Sequence, residues 1–343
     1  MSATYKTVLW NRQKKRYDFI MLIGIIAYLV LFIGLTLTFF PAITEETLII
    51  RATGTLAILM LHVILIIGPL CRLDKRFLPI LYNRRHLGVT MFIFGAIHGI
   101  FSTLNFHSLG NENPILSIFT ANQQYDSLVN FPFQTLGFFA LIILFLMAAT
   151  SHDFWLKNLS PAVWKGLHMM VYVAYAFLIL HVMLGVVQLE KSIGIVVILG
   201  IGMLLVISLH LIAGWKQRNI GQLEKVVTSE GFVKVCPIHD IPENRAKLVN
   251  IDTESIAIFK YEGKLSAINN FCKHQNGPLS EGKFVDGCIT CPWHGYQYLA
   301  HNGQSPPPFT EKVATYHVRL INDEIWVNPK PEPEGTHIEP VVI

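Results

Sequence analysis

Charged residues are few in this chain: Asp, Glu, Lys and Arg make up 15% of its 343 residues, against 52% hydrophobic ones. The deficit is concentrated before about Trp215, where long apolar runs exclude an ordinary water-soluble domain. Basic residues give a net charge of +4 but sit at the ends of those runs, which speaks for membrane orientation and against a nucleic-acid partner. Cysteine is scarce and odd in number. Cys71, Cys236, Cys272, Cys288 and Cys291 have no regular spacing, which argues against a fully paired disulfide framework. No small-residue cleavage site follows the first apolar run, and its 22 residues exceed a signal-peptide core, so no cleavable leader is expected.

Six segments reach or approach the roughly 20 residues that cross a bilayer. They lie near 19–40, 48–70, 87–105, 131–150, 163–187 and 193–214, with Gly, Ser, Asn and Gln interrupting the third and fourth. The spacing predicts a six-helix transmembrane bundle over 19–215, preceded by a cytoplasmic segment, 1–18. Lys6, Arg12, Lys14, Lys15 and Arg16 lie in that segment, and Arg72, Lys75, Arg76, Arg84 and Arg85 in the second loop. Lys157 and Lys165 lie in or beside the fourth loop, and Lys216 and Arg218 follow the last span. The loop over 106–130 and "PAITEE" contain neither Lys nor Arg. The positive-inside rule therefore places both termini in the cytoplasm, of a bacterial inner membrane, as an even number of spans requires. Beyond a linker at 216–229 the sequence turns polar, with alternating strand-like stretches and turn residues that predict an all-β domain over 230–330. The chain ends in "NPKPEPEGTHIEPVVI", whose residues 331–343 are expected to form a disordered tail.

Within the polar part, "CKHQNGPLSEGKFVDGCITCPWHGYQY" places Cys272-x-His274 sixteen residues ahead of Cys291-x-x-His294. Two thiolates and two imidazoles suit either a tetrahedral structural zinc or a [2Fe–2S] centre with the histidine pair on one iron. Each loop supplies one Cys and one His, which favours a cluster gripped between two hairpins. Gly277-Pro278, Pro292 and Gly295 are turn residues that let backbone amides approach the sulfurs. Cys236 and Cys288 lie outside these loops and read as buried small residues.

"CKHQNGPLSEG" and "CPWHGYQY" resemble the two ligand boxes of Rieske ferredoxins and ring-hydroxylating oxygenases, and "SPPPF" resembles their proline-rich third loop. The resemblance covers about 230–330 and implies a Rieske [2Fe–2S] cluster on Cys272, His274, Cys291 and His294. Gly277 and Trp293 stand where respiratory Rieske proteins carry a second, disulfide-forming Cys pair. Tyr296 replaces their sulfur-bonding Ser, while Tyr298 keeps a hydroxyl two residues on. Fewer hydrogen bonds to the cluster predict a potential toward the low end of the Rieske range. A Rieske oxygenase would need a further mononuclear iron domain, for which the 30 or so residues after 313 are expected to be too few.

The apolar part holds His62, His86, His98, His168, His181 and His210, and ionisable residues inside a membrane are more often functional than structural. His168 and His181 are 13 residues apart, about 20 Å along a helix, the separation of two haems stacked across a bilayer. Thirteen residues, however, leave them rotated by about 140° from alignment on a straight helix. "RRHLGVTMFIFGAIHG", "LGFFALIILFLMAATS", "LSPAVWKGLHMMVYVAYAFLILHVMLG" and "TGTLAILMLHVILIIGPLCRL" are similar to segments of ferric-reductase-like transmembrane domains. That resemblance, over about 20–215, implies that His98, His168 and His181 ligate haem b, with His98 and His181 sharing an outer haem. His168 then needs a partner for a second haem. His86 lies at the right depth, and His62, in mid-span, is its rival. The resemblance also lets Arg84 and Arg85 pair with haem propionates, besides anchoring topology, and leaves His210 structural or interfacial.

Ferric reductases and NADPH oxidases continue into flavin and nicotinamide domains, which this chain does not resemble. "PPFT" lacks the His of a flavin box and lies inside the third Rieske-like loop, and "GIG" at 200–202 is within a span. The expected function is electron transfer from a soluble cytoplasmic donor, a ferredoxin or flavin reductase, through the cluster and two haems b. The acceptor would be ferric iron, oxygen, quinone or a periplasmic redox partner. A redox sensor without net electron flux, and a haem-free membrane anchor for a Rieske ferredoxin, are the alternatives.

Overall fold

The computed structural model describes residues 12–77, 80, 83–152, 155, 159, 161–188, 193–220, 231–252, 254–274, 277–292, 295–307 and 309–343. They fall into two compact units that meet in sequence at Leu211 and Ile212.

The first unit is helical: α1 (Arg12–Phe39), α2 (Glu45–Leu73), α3 (Arg84–His107), α4 (Pro114–Thr120), α5 (Phe133–Ala149), α6 (Pro161–Met169), α7 (Val171–Val182) and α8 (Ile193–Ile220). α1 and α8 are apolar all round and expose Leu, Ile and Phe along most of their lengths, the surface of a helix bathed in lipid. α2 is the buried centre. Its start is capped by Thr44, whose hydroxyl accepts the Thr47 N–H, and Glu45, Glu46 and Arg72 complement its dipole. Just beyond His181, α7 widens into a π turn, Met183–Val187, a feature that commonly marks functional sites. There the Phe133 ring occupies the space of a side chain at 185, since a Cβ on Gly185 would lie 2.7 Å from it.

Among the described residues, five helices are long and apolar enough to cross a membrane: Lys14–Phe39, Glu45–Leu73, Arg84–His107, Gly166–Val187 and Ile193–Lys216. The expected fourth span is present as α5 but has only 17 residues. At 1.5 Å per residue it is about 26 Å long, against a hydrocarbon core of about 30 Å. Pro132 stops it at one end and the turn at Thr150 at the other, which is why it falls short of the predicted six. The last helix runs on to Ile220, so residues 216–220 of the expected linker are helical, while 221–229 lie outside the described residues.

Beyond the end of α8, the second unit is all β. Strands β1 (Val233–Pro237), β2 (Arg245–Ile251), β3 (Glu254–Tyr261), β4 (Lys264–Asn269), β5 (Lys283–Val285), β6 (Cys288–Thr290), β7 (Gln297–Tyr298), β8 (Thr315–Tyr316), β9 (Val318–Ile321), β10 (Glu324–Val327) and β11 (Val341–Val342) follow in order. They form three antiparallel sheets, β1-β10-β9, β11-β4-β3-β2 with β8 also on β4, and β5-β6-β7. Two-residue turns with positive φ close the hairpins: Glu262-Gly263, Asp286-Gly287 and Asn322-Asp323. One core gathers Ile256, Ile258, Leu265, Tyr316 and Ile325; another gathers Phe259, Ile268, Leu279, Ile289 and Tyr298 beneath the loops that follow β4 and β6.

Residues 331–343 are not the disordered tail their composition suggests. Glu332 N–H donates to Thr315, Ile338 N–H to the His301 carbonyl and Ile343 N–H to Gly263. Glu334 pairs with Lys273 at 2.6 Å, and Val341 sits opposite Leu265 in β4. Proline rigidifies the segment, and the open edge of β4 supplies the hydrogen bonds that the segment could not make alone. Val341→Asp is expected to lower the stability of this unit by about 1–2 kcal/mol, read as a lower melting midpoint of the full-length protein's β signal. An unchanged midpoint would show that the pairing contributes nothing.

Candidate redox sites

In the β unit, the loop after β4 is a tight excursion. Cys272 N–H donates to Gly277 at 2.9 Å, Leu279 N–H to the Asn270 carbonyl at 2.7 Å and Ser280 N–H to the Asn270 side chain at 2.9 Å. The loop after β6 turns more sharply: Cys291 N–H donates to Tyr296 at 2.7 Å and Gly295 N–H to Cys291 at 2.9 Å, with Gly295 at φ 74°. Both turns bring their cysteines inward, and Cys272 and Cys291 are each 1% exposed in the same core. No disulfide is present among the described residues, which include all five cysteines. Cys236 and Cys288 are buried, and burial raises both thiols above the usual range, which suits small core residues.

Two tyrosines line the cysteines. The Tyr298 hydroxyl lies 3.4 Å from Cys272 Sγ and accepts the Lys273 N–H at 2.9 Å, so its own proton is directed at the sulfur. Burial and then the nearby Cys272 charge raise this phenol well above its ordinary range, which keeps it a donor. Tyr296 donates to Glu311 and carries the His274 ring on its face, with centroids 4.8 Å apart and planes at 8°. Phe309 of the proline-rich loop meets Tyr296 edge to face, with ring centroids 5.0 Å apart. His294 lies outside the described residues, as does Trp293. Among the described residues no three His, Cys, Asp or Glu side chains converge on one point as a single-metal site would require. Tyr296 and Glu311 were not legible as partners in the sequence, where fifteen residues separate them; Tyr298 was, through its place after the second box.

These residues fit a [2Fe–2S] cluster: two thiols withdrawn from water, one imidazole held by stacking, and a hydroxyl aimed at a ligand sulfur. Tyr298→Phe is expected to lower the cluster potential by on the order of 50 mV, because a hydrogen bond to sulfur favours the more negative, reduced state. A redox titration followed by EPR reads the shift, and an unmoved midpoint would remove Tyr298 from the tuning set.

In the helical unit, His98 of α3 and His181 of α7 face each other with ring centroids 6.2 Å apart and planes at 83°. Each Nδ1 is engaged by a backbone carbonyl, His98 by Ile50 and His181 by Phe133, both at 2.9 Å. That assigns the proton to Nδ1 and leaves Nε2 available to a metal, the arrangement that metal-bound histidines adopt. The spacing fits a shared iron: two metal–nitrogen bonds of about 2.0 Å and about 1.1 Å from each nitrogen to its ring centre sum to about 6.2 Å. Glycines make room for both rings. A Cβ on Gly54 would lie 2.7 Å from the His98 ring, and one on Gly137 2.8 Å from the His181 ring.

The other histidines are placed differently. His168 stacks on Trp164 at 3.7 Å, with Nδ1 on the Trp164 carbonyl at 3.0 Å and Nε2 3.4 Å from the Ser151 hydroxyl. His86 Nδ1 meets both carboxylate oxygens of Asp18, at 2.9 and 3.0 Å, and Asn83 donates to the same carboxylate at 2.6 Å. His86 and His168 are thus not in ring contact as His98 and His181 are. His210 has both nitrogens engaged, by Val206 at 2.8 Å and Tyr172 at 3.1 Å. His62 is buried against the edge of Tyr175. The carbonyl and carboxylate partners have no signature in a sequence, because backbone acceptors are common to every residue and Asp18 is 68 residues from His86.

Comparison with known proteins finds a family for each part of the chain. Residues 231–317 match the Rieske [2Fe-2S] domain and residues 53–179 the ferric reductase like transmembrane component. The chain is similar to the biphenyl dioxygenase ferredoxin subunit of Pseudomonas sp. (strain KKS102), 31% identical over 28% of this chain and 91% of that protein. It is likewise similar to the 3-phenylpropionate/cinnamic acid dioxygenase ferredoxin subunit of Escherichia coli (strain K12), 33% identical over 29% of this chain and 97% of that protein. A solved complex of reduced oxygenase and oxidized ferredoxin in carbazole 1,9a-dioxygenase aligns with 31% of this chain and 100% of its own, at 23% identity and a TM-score of 0.29. With its apolar helices the chain is a multi-pass membrane redox protein. Through its last third it belongs to the Rieske [2Fe-2S] family, and it joins that domain to a ferric reductase like transmembrane component in one polypeptide.

Proposed function

We propose that this protein carries electrons across a membrane, from a soluble cytoplasmic donor such as a ferredoxin or flavin reductase to an acceptor such as ferric iron, quinone or a periplasmic redox partner. The observation that carries the reading is the His98–His181 pair, 6.2 Å apart with both Nδ1 atoms engaged, in a chain that also buries two Rieske-box cysteines. When bound, a [2Fe–2S] cluster and two haems b supply reversible one-electron chemistry at the two sites.

On this reading Cys272 and Cys291 hold one iron, His274 and His294 the other, and Tyr298 polarises Cys272. His98 and His181 hold the outer haem between α3 and α7. For the second haem, depth supports His86 as the partner of His168. His86 is 12 residues from His98 and His168 is 13 from His181, about 18 and 20 Å along parallel spans. Asp18 on His86 Nδ1 is the carboxylate support that metal-bound histidines commonly have. His62 suits this role less, because it packs on Tyr175, seven residues or about 10 Å along the helix from His168. Six spans, with α5 the short one, would place both termini in the cytoplasm of a bacterial inner membrane, in keeping with the basic loops.

Reconstituted vesicles test the function. With donor on the cytoplasmic side, reduction of the outer haem is expected in the native protein. His168→Ala is expected to leave the cluster reducible and to halt outer-haem reduction. An undiminished rate in that variant would overturn the route, and a purified protein without a Soret band would overturn haem binding altogether.

A further inference from the structure

Between the outer histidine pair and His168 lies a polar group for which none of the electron-transfer roles above has a use. His62 on α2 is only 6% exposed, and neither of its ring nitrogens has a hydrogen-bond partner among the described residues. Its ring meets the edge of Tyr175 on α7, with centroids 5.5 Å apart and planes at 84°, and the Tyr175 hydroxyl is likewise buried without a partner. Gly202 of α8 closes the third side, where any Cβ would overlap the imidazole. The glycine thus makes room for this ring as Gly54 and Gly137 do for the ligand rings. Three buried polar atoms, each costly to leave unsatisfied, converge in the middle of three apolar spans. An apolar residue at position 62 would avoid that cost, so the position calls for a physical reason.

Depth supplies one. Tyr175 stands six residues before His181 and seven after His168, about 9 and 10 Å along the helix. Along α2, His62 is eight residues, about 12 Å, from Gly54, which abuts His98. We propose that His62, with the Tyr175 ring packed against it, is a proton-accepting site that takes up a proton from the aqueous phase when an electron arrives on a haem about 10 Å away. This rests on the haem reading of the His98–His181 and His86–His168 sites. The balance is one electron in from the donor and one proton in from water, leaving the membrane interior with no added net charge. His62 passes from neutral imidazole to imidazolium, and no bond other than the N–H is made.

The other ionisable groups on the surrounding helices do not pre-empt this role. Tyr175 is the one that touches the ring from α7, and Gly202 is what α8 offers there. On the α3 side the Arg84 guanidinium approaches α2 at Gly68, six residues or about 9 Å further along. Its positive charge opposes protonation of His62 in both redox states and cancels from the difference. α1 presents to α2 the Tyr28 hydroxyl, which is taken by Thr55 at 2.6 Å. One unit of charge at about 10 Å, in an effective dielectric of about 20, changes the proton affinity of His62 by on the order of tenfold.

The test is an optical redox titration of the haems in the purified full-length protein at several pH values from 5 to 9. Proton uptake on reduction makes the midpoint fall as pH rises, and a tenfold coupling corresponds to a total fall of about 59 mV. His62→Gln keeps a polar side chain but cannot take the proton, and it is expected to remove that fall while haem content and spectrum stay as in the native protein. Tyr175→Phe is expected to retain the fall and shift its pH window. A pH-dependence that is the same in His62→Gln as in the native protein, or a native midpoint flat with pH, would overturn this inference alone. A native protein without haem would overturn both the haem reading and this inference.

Discussion

Iron, not zinc, is the expected metal of the purified protein, and on reduction it should give the EPR signal of a His-ligated [2Fe–2S] centre, with an average g below that of all-Cys clusters. Cys272 and Cys291 are withdrawn from water and lie in one core with Tyr298, while His274 is held against Tyr296. Neutral imidazoles leave one iron with less negative charge than thiolates would, which is why Rieske centres accept electrons more readily than all-Cys clusters. His274→Cys or His294→Cys should therefore lower the potential, by on the order of a few hundred millivolts. Cys272→Ser should abolish the cluster, since it removes both a thiol proposed as a ligand and the sulfur that meets the Tyr298 hydroxyl. A folded protein that carries zinc and no iron would end this reading of the site.

A comparably large effect is expected in the membrane unit. His181→Ala should remove the outer haem and about half of the Soret absorbance, while the EPR signal of the cluster persists, because the two sites belong to separate compact units. His98→Ala should do the same from the opposite face. Gly137→Leu tests the same site without replacing any histidine. A Cβ at 137 would lie 2.8 Å from the His181 ring, and so close a contact must push the imidazole off its position. If haem content were at native levels in His98→Ala and His181→Ala, those two residues would not be the ligands.

Some of this architecture is written in local sequence. The apolar runs placed α2 and α3 to within three residues and located α1, α7 and α8, since a bilayer imposes one length and one composition on any helix that crosses it. Asp286-Gly287 marks a hairpin turn through its need for positive φ. The two Cys-His boxes and the tyrosine after the second are legible because a cluster demands fixed residue types at fixed spacing.

Other features were decided only when distant segments met. The tail at 331–343 reads as disordered because its own residues cannot satisfy its backbone; the free edge of β4, some 75 residues earlier, does so instead. His98 and His181 are separated by 83 positions in the chain, and a straight-helix calculation on His168 and His181 left their relation open. What brings the outer pair together is the packing of α3 on α2 at Gly54 and of α7 on α5 at Gly137, with the carbonyls of Ile50 and Phe133 turning each ring. The sequence by itself determined which residue types are available, the runs that enter the membrane and the two loops that can grip a cluster, because those depend on composition and short-range spacing. Only the tertiary structure decided which histidines face each other, which carry a carbonyl or carboxylate on Nδ1, and that His62 and Tyr175 meet in mid-membrane. Those relations depend on helix rotation and close approach, which no local pattern encodes.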